Sequence, residues 1–198
     1  RHPAVRRLVL LQSFDLANRT GIATGEPGSI PRVNAAELKL KKSETPRQVA
    51  HRFGRFLDEL WAFGRPDMVV VEDFMNPAGS QSADATISAL LLHGALEACC
   101  GRLSIPVRFI HMASARLHFC GRASAHPRRQ GQHRTNKQKA QDRDDTNMMV
   151  WRRAVALGYF PRDMAPDYDK GSAACLFSYA SSHWCNARLQ TFELFEGP

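Results

Sequence analysis

An α/β fold organised around a mixed sheet is the class this sequence predicts, and three observations carry it. Two short unbroken apolar runs, Leu8 to Leu11 and Met68 to Val71, have the length and composition of strands buried on both faces. Each run leads into acid, at Phe14-Asp15 and at Glu72-Asp73. Helical periodicities lie between and after them, so strand and helix alternate along the chain.

The first strand closes on Asp15 before the turn residues Asn18 and Gly21. Ile22-Ala23-Thr24 returns at hairpin distance and puts Thr20-Gly21 opposite Asp15. Ser29 to Lys42 alternates weakly and supplies a third strand, its lysines at an exposed edge. Thr45-Pro46 is a cap followed by proline at the first helical position, and Val49, Phe53, Phe56, Leu57 and Leu60 recur at helical spacing until Gly64. Pro66 opens the strand Asp67 to Val71. Ala83 to Leu103 is a long, mostly buried helix carrying Ile87, Leu90, Leu91, Ala95 and Leu96, and Pro106 to Ile110 is the next strand. Strand, helix, strand in that order predicts a right-handed parallel crossover. His93, alone on the apolar helix, reads as a core histidine. A basic loop follows from about Arg116 to Gln141, then a helix from about Asp142 to Gly158 through Met148, Met149, Trp151, Val155 and Leu157. Pro166-Asp167-Tyr168-Asp169 leads into a last helix of small residues, with Asp169 and Ser172 on one face and Leu176 below them.

A chain of 198 residues with 43% hydrophobic content can bury one core, so a single domain spanning 1–198 is expected, with the basic loop at about 116–141. Lys and Arg number 27 against 19 Asp and Glu, a net charge of +8 that favours a polyanionic partner, nucleic acid first. The basic stretch holds Arg116, Arg122, Arg128, Arg129, Arg134, Lys137 and Lys139 without one acid before Asp142. Such a run repels itself unless an anion neutralises it, so it reads either as a solvated surface loop or as a clamp on phosphates. The five cysteines form no C-x-x-C pair and read as reduced thiols. No apolar segment approaches the roughly 18 residues of a membrane span, and the basic start leads into an apolar run too short for a signal peptide. A cytoplasmic location without membrane attachment is expected.

A carboxylate at the end of a buried strand costs free energy unless something pairs with it. One such residue reads equally well as a turn or cap aspartate. Two, at Asp15 and Glu72, are harder to dismiss, because open α/β sheets bind ligands at the carboxyl ends of their strands. A divalent cation suits them. Asp167 and Asp169 by themselves read as acids at a helix N-terminus.

Taken together, FDLANRTG (Phe14 to Gly21), VVVEDFMN (Val69 to Asn76) and the stretch from MMVWRRAVALGYFP to PDYDKGSAACLFSYA (Met148 to Ala180) resemble the RuvC family of Holliday junction resolvases, phage and prophage-type members above all. The resemblance runs from about Arg7 to Trp184. It implies a ribonuclease H-like mixed five-stranded sheet flanked by helices. It also implies a homodimer that cuts four-way (branched) DNA junctions with Mg2+ as cofactor, or Mn2+ in its place, in recombination and repair or phage DNA processing. On this resemblance Asp15, Glu72 and Asp169 are the catalytic metal-binding acids. Phe74 sits where the family places an aromatic wedge, Arg116 where it has a basic residue near the scissile phosphate, and Lys137 or Lys139 would be a second; Ala83 to Cys100 is expected near the dimer contact.

One departure bears on the chemistry. The family's last motif resembles D-x-x-D-A, whereas this chain reads Asp169-Lys170-Gly171-Ser172-Ala173, with serine in place of the second acid. A neutral hydroxyl is a poorer ligand for a hard cation than a carboxylate. Either Asp167 or Asp169 supplies the missing ligand, or cleavage is weakened and junction binding survives. Three other readings stand beside the resolvase: a non-enzymatic junction-binding protein, another ribonuclease H-like nuclease, and an actin-like sugar kinase or ATPase. The last is disfavoured by a chain too short for two lobes and without a later Gly-rich nucleotide loop.

Overall fold

The structure is a computed structural model, and it describes residues 9–38, 41, 44–73, 83–126 and 134–185. Among the described residues five strands form one sheet: β1 (Leu11–Asp15), β2 (Arg19–Gly25), β3 (Arg32–Glu37), β4 (Met68–Glu72) and β5 (Val107–Ile110). Their order is β3-β2-β1-β4-β5. The first three pair antiparallel, while β1 with β4 and β4 with β5 pair parallel. The sheet is therefore mixed, as the sequence predicts.

Helices cover both faces. α1 (Pro46–Trp61) starts at a capping box in which Thr45 accepts from the Gln48 amide and the Gln48 side chain accepts from the Thr45 amide. Its buried stripe of Val49, Phe53, Leu57 and Trp61 packs with α2 (Ala83–Arg102) against Phe14, Ile22, Val69 and Val71. On the opposite face α3 (Met112–Cys120), α4 (Asn136–Ala156) and α5 (Tyr168–His183) pack on Leu11, Ala23, Val70 and Ile110. His93 of α2 is buried and stacks on Phe109, the core role read for it.

Strand alternation fixes which way each β1 residue points. Leu11 and Ser13 face α5, and Gln12 and Phe14 face α1. The two buried polar residues are hydrogen-bonded as burial requires. Gln12 accepts from the Trp61 indole at 2.7 Å and donates to Thr24 Oγ1 at 2.8 Å, and Ser13 donates to the Ala173 carbonyl at 2.7 Å. By the same alternation Asp15 faces α5. On β4, Val70 faces α5 and Val71 faces α1, so Glu72 faces α5 as well.

Helix α5 lies on β1 and β2 with small residues at its N-terminal turns and Leu176 and Phe177 further along. Gly171 through Ser178 are all buried. The closest approach is at Gly21, where a Cβ would stand 2.0 Å from the carbonyl oxygen of Asp169 and 3.1 Å from the Ala173 methyl. Gly21 pairs with Asp15 across the β1–β2 ladder, so the seat of α5 and the end of β1 are set by one register.

Three predicted boundaries are corrected. The basic loop of 116–141 is mostly helical among the described residues: Arg116 belongs to α3, and α4 begins at Asn136. The earlier start follows from Thr135, whose hydroxyl accepts from the Gln138 amide in a second capping box, although no apolar residue marks that first turn. β2 runs from Arg19 to Gly25, longer than its apolar centre. Phe74, Arg128 and Arg129 lie outside the described residues.

Replacing Gly21 by alanine forces α5 off the sheet at its N-terminus. We expect Gly21→Ala to cost about 3 kcal/mol, read from the urea midpoint at constant m-value, in the range of severe overpacking. An unchanged midpoint would show that α5 does not sit so close.

Candidate active site

Asp15 and Glu72 end adjacent parallel strands, one step past the paired residues Phe14 and Val71 and on the same face. The N-terminal turn of α5 brings Ser172 against Asp15 and the charge of Asp169 near it, and α3 brings Arg116 beside both acids. Ser172 is 8% exposed, and its hydroxyl donates to the Asp15 carboxylate. Arg116 acts on both Asp15 and Glu72, and its Nε is buried without a hydrogen-bond partner. At the rim His111, just before α3, meets Asp73 at 3.6 Å.

The electrostatics of this cluster are those of acids pressed together. Burial is the largest cause that pushes the Asp15 carboxyl up to about 8, followed by the charges of Glu72 and Asp169. The Ser172 hydroxyl and Arg116 work the other way and do not overcome it. Glu72 is also pushed up, chiefly by burial, against the opposing charge of Arg116 and the hydrogen bond it shares with Asp15.

Asp167 and Asp169 have a different environment. Arg19 reaches across from the start of β2 and grips Asp167 with two nitrogens, Nη1 to Oδ1 and Nη2 to Oδ2, both at 2.6 Å. Nη1 also reaches Asp169 Oδ2 at 2.8 Å, and Nε faces Glu37 at 3.4 Å. Asp167 caps α5 through the Lys170 amide. Burial works to raise its pKa, but the Arg19 hydrogen bonds and the Lys170 amide and charge together hold it below the usual carboxylate value.

Hard oxygen donors at Asp15 and Glu72, buried and mutually repelling, fit a divalent cation in chemistry and charge. Among the described residues, however, no three His, Cys, Asp or Glu side chains stand together as a ready ligand set. The other two expected ligands, Asp169 and Asp167, are both turned toward Arg19.

The predicted basic residues fall into separate groups. Arg116 and Lys139 line one cavity of about 290 Å3 with Ser124, His126, Arg134 and Arg143. Arg134 is tied down there, ion-paired with Asp142 and donating to the His126 carbonyl. Lys137 is exposed on the first turn of α4 and does not line the cavity. Sequence reasoning missed Arg19, Arg143 and the role of Gly21. Arg19 lies 148 residues from Asp167, so no local pattern connects them.

A mixed five-stranded sheet of this order, flanked by helices on both faces, is an α/β fold of the ribonuclease H-like kind. Within it the chain has a RuvC-like fold. It superposes on T. thermophilus RuvC in complex with Holliday junction substrate with a TM-score of 0.60 at 15% identity, over 88% of this chain and 94% of that one. A second Thermus thermophilus RuvC structure gives 0.56 at 14% identity, over 87% and 94%. No protein-family model matches the chain, and no curated protein does.

Because the folded chain holds the Asp15 proton up to about 8 and the ordinary value is 3.8, the stability tied to this group is fully present below 3.8 and is lost as pH rises through about 8. Glu72 acts in the same direction. In chelator, the melting temperature is expected to fall as pH rises from about 4 to about 8, with a shallower slope in Asp15→Asn. Equal slopes in the two proteins would place the titration elsewhere.

Proposed function

We propose that this chain is a divalent-cation-dependent endonuclease that cuts four-way DNA junctions. The observation that carries the proposal is the juxtaposition of Asp15, Glu72 and Arg116 at the carboxyl ends of β1 and β4. Support comes also from the fold neighbour whose structure holds a Holliday junction substrate, and from the net charge of +8.

Asp15 and Glu72 would hold Mg2+, or Mn2+ in its place, with Asp169 as the third candidate ligand. Bound there, the cation supplies an activated water and neutralises charge on the leaving oxygen of a phosphodiester. The chain's own groups do the rest. Ser172 orients the Asp15 carboxylate through its hydroxyl. Arg116 stands half-buried beside the two acids, where its guanidinium can meet a phosphate oxygen as charge builds on it. Lys139 and Arg143 extend that positive surface along the α3–α4 cavity, so a strand leaving the acids would meet cations on its phosphates.

A junction has two strands to cut symmetrically, so a homodimer follows from this reading, and the exposed Ile87 and Leu90 of α2 offer apolar surface for it. No helix among the described residues is long and apolar enough to cross a membrane. All five cysteines are free thiols, in keeping with work on DNA in the reducing cytoplasm, in recombination, repair or phage DNA processing.

Asp15→Asn and Glu72→Gln are expected to lower cleavage of a synthetic four-way junction at least about a hundredfold, with junction binding retained, because neither change removes a cation that meets the phosphates. Cleavage within a few-fold of the parent would remove these acids from the chemistry. Linear duplex serves as the comparison substrate.

A weakened enzyme that mainly binds junctions is a second reading, favoured by the serine at 172. The two separate on Ser172→Asp. That change sets another carboxylate against Asp15, so in chelator the protein should melt at lower temperature. With Mg2+ the added ligand should reduce the concentration needed for half-maximal cutting. No gain at any Mg2+ concentration would mean that the parent site is already complete.

A further inference from the structure

Arg19 binds its two aspartates unequally. Both terminal nitrogens engage Asp167, whose side chain is 12% exposed and which also caps α5 and lies 3.4 Å from Lys170 Nζ. Asp169 is held by a single bond to Nη1, and its side chain is 31% exposed. Asp167 is thus an anchor, held by three groups on the helix seat, and Asp169 is a side arm of the same ion pair. The Asp169 charge acts on Asp15, so the carboxylate stands between two attractions: the guanidinium it touches, and any cation that enters beside Asp15 and Glu72.

We propose that Arg19 is a lock on the third carboxylate, holding Asp169 away from Asp15 and Glu72 until a divalent cation takes it over. The inference rests on those two acids being the cation site. Opening the lock breaks one bond and leaves the fork on Asp167 whole, so the helix cap and the seat of α5 at Gly21 persist while Asp169 moves. Arg19 keeps partners throughout, in Asp167 and Glu37. The arrangement divides the two aspartates that the sequence left as interchangeable: Asp169 is the ligand in reserve, and Asp167 is the positioning residue that keeps Arg19 in place. Binding of the cation carries the cost of releasing a charge-assisted hydrogen bond, which makes the free protein a weaker cation binder than its acid content suggests.

The test is Mn2+ binding to the full chain without DNA, followed by calorimetry or by the electron paramagnetic resonance of free Mn2+. Arg19→Gln should tighten binding about tenfold, the equivalent of one charge-assisted hydrogen bond no longer broken. In an Asp169→Asn background the same change should matter less than about twofold, because the locked group is absent. Arg19→Lys, which keeps a charge on Asp167 without the fork, should tighten binding in the same sense and covers the case in which Arg19→Gln does not fold. Equal tightening with and without the Asp169 carboxylate would reduce Arg19 to a distant positive charge, and no tightening would reduce it to a structural tie. Either result overturns the lock. The cation site itself is checked by Asp15→Asn: if Mn2+ binding survives that change, the proposed function loses its site and the lock falls with it. If Asp15→Asn abolishes binding while Arg19 is indifferent, the lock alone fails.

Discussion

Two carboxylates carried to the same end of adjacent parallel strands, on the same face, repel each other, and the surrounding structure is arranged around that repulsion. The parallel pairing of β1 with β4 leaves no choice of register: Phe14 meets Val71, so Asp15 and Glu72 come next together. Burial removes the water that would otherwise screen them. What opposes the repulsion is supplied from two separate elements, a hydroxyl from α5 and a guanidinium from α3, while Arg19 from β2 pairs with Asp169, whose charge adds to it. The hydroxyl is aimed by backbone packing that contains no charge at all. Gly21 lets α5 descend until the Asp169 carbonyl rests on the sheet, and that descent places Ser172 against Asp15.

Much of the fold was legible because it rests on period and punctuation. The capping box and proline of α1, the apolar run of β4 and the small-residue stripe of α5 are local signals, and each element lies within a few residues of where its signal puts it. α3 was not legible. Met112, Ala115 and Phe119 face the core from only nine residues, and the remaining positions carry Arg116 and His118, so the segment reads as the start of a basic loop. The first turn of α4 failed for a related reason. It is polar on every side, and only the Thr135-Gln138 pair marks it.

The site was legible in its acids and illegible in its connections. Asp15 and Glu72 stand out as a pair, because charge at the ends of two buried strands needs an account that one alone would not. Arg19 stands in a turn-proximal stretch, FDLANRTG, where an arginine has every appearance of a solvated side chain. Its partners come from a helix N-terminus 148 and 150 residues later. Only the β1–β2 hairpin and the docking of α5 bring them together, and neither docking nor hairpin register is written in the neighbourhood of Arg19. Gly21 has the same character: within the hairpin it looks like turn chemistry, whereas its function is to leave room for another element's backbone.

The serine at 172 becomes intelligible in terms of this charge balance. Position 172 is buried and its side chain contacts Asp15, so an acid there would be a further negative charge in a place where Asp15 already holds its proton up to about 8. Arg19 is engaged by Asp167, Asp169 and Glu37, which leaves Arg116 as the cation acting on both Asp15 and Glu72 from within the described residues. A hydroxyl at 172 donates a hydrogen bond where a carboxylate would repel, and so steadies Asp15 in the cation-free protein. On the proposed reading, a carboxylate at 172 would instead add a hard ligand for the cation. If Asp15 and Glu72 hold the proposed cation, stability without it and affinity for it are opposed at this one position, and the serine favours the folded, cation-free chain.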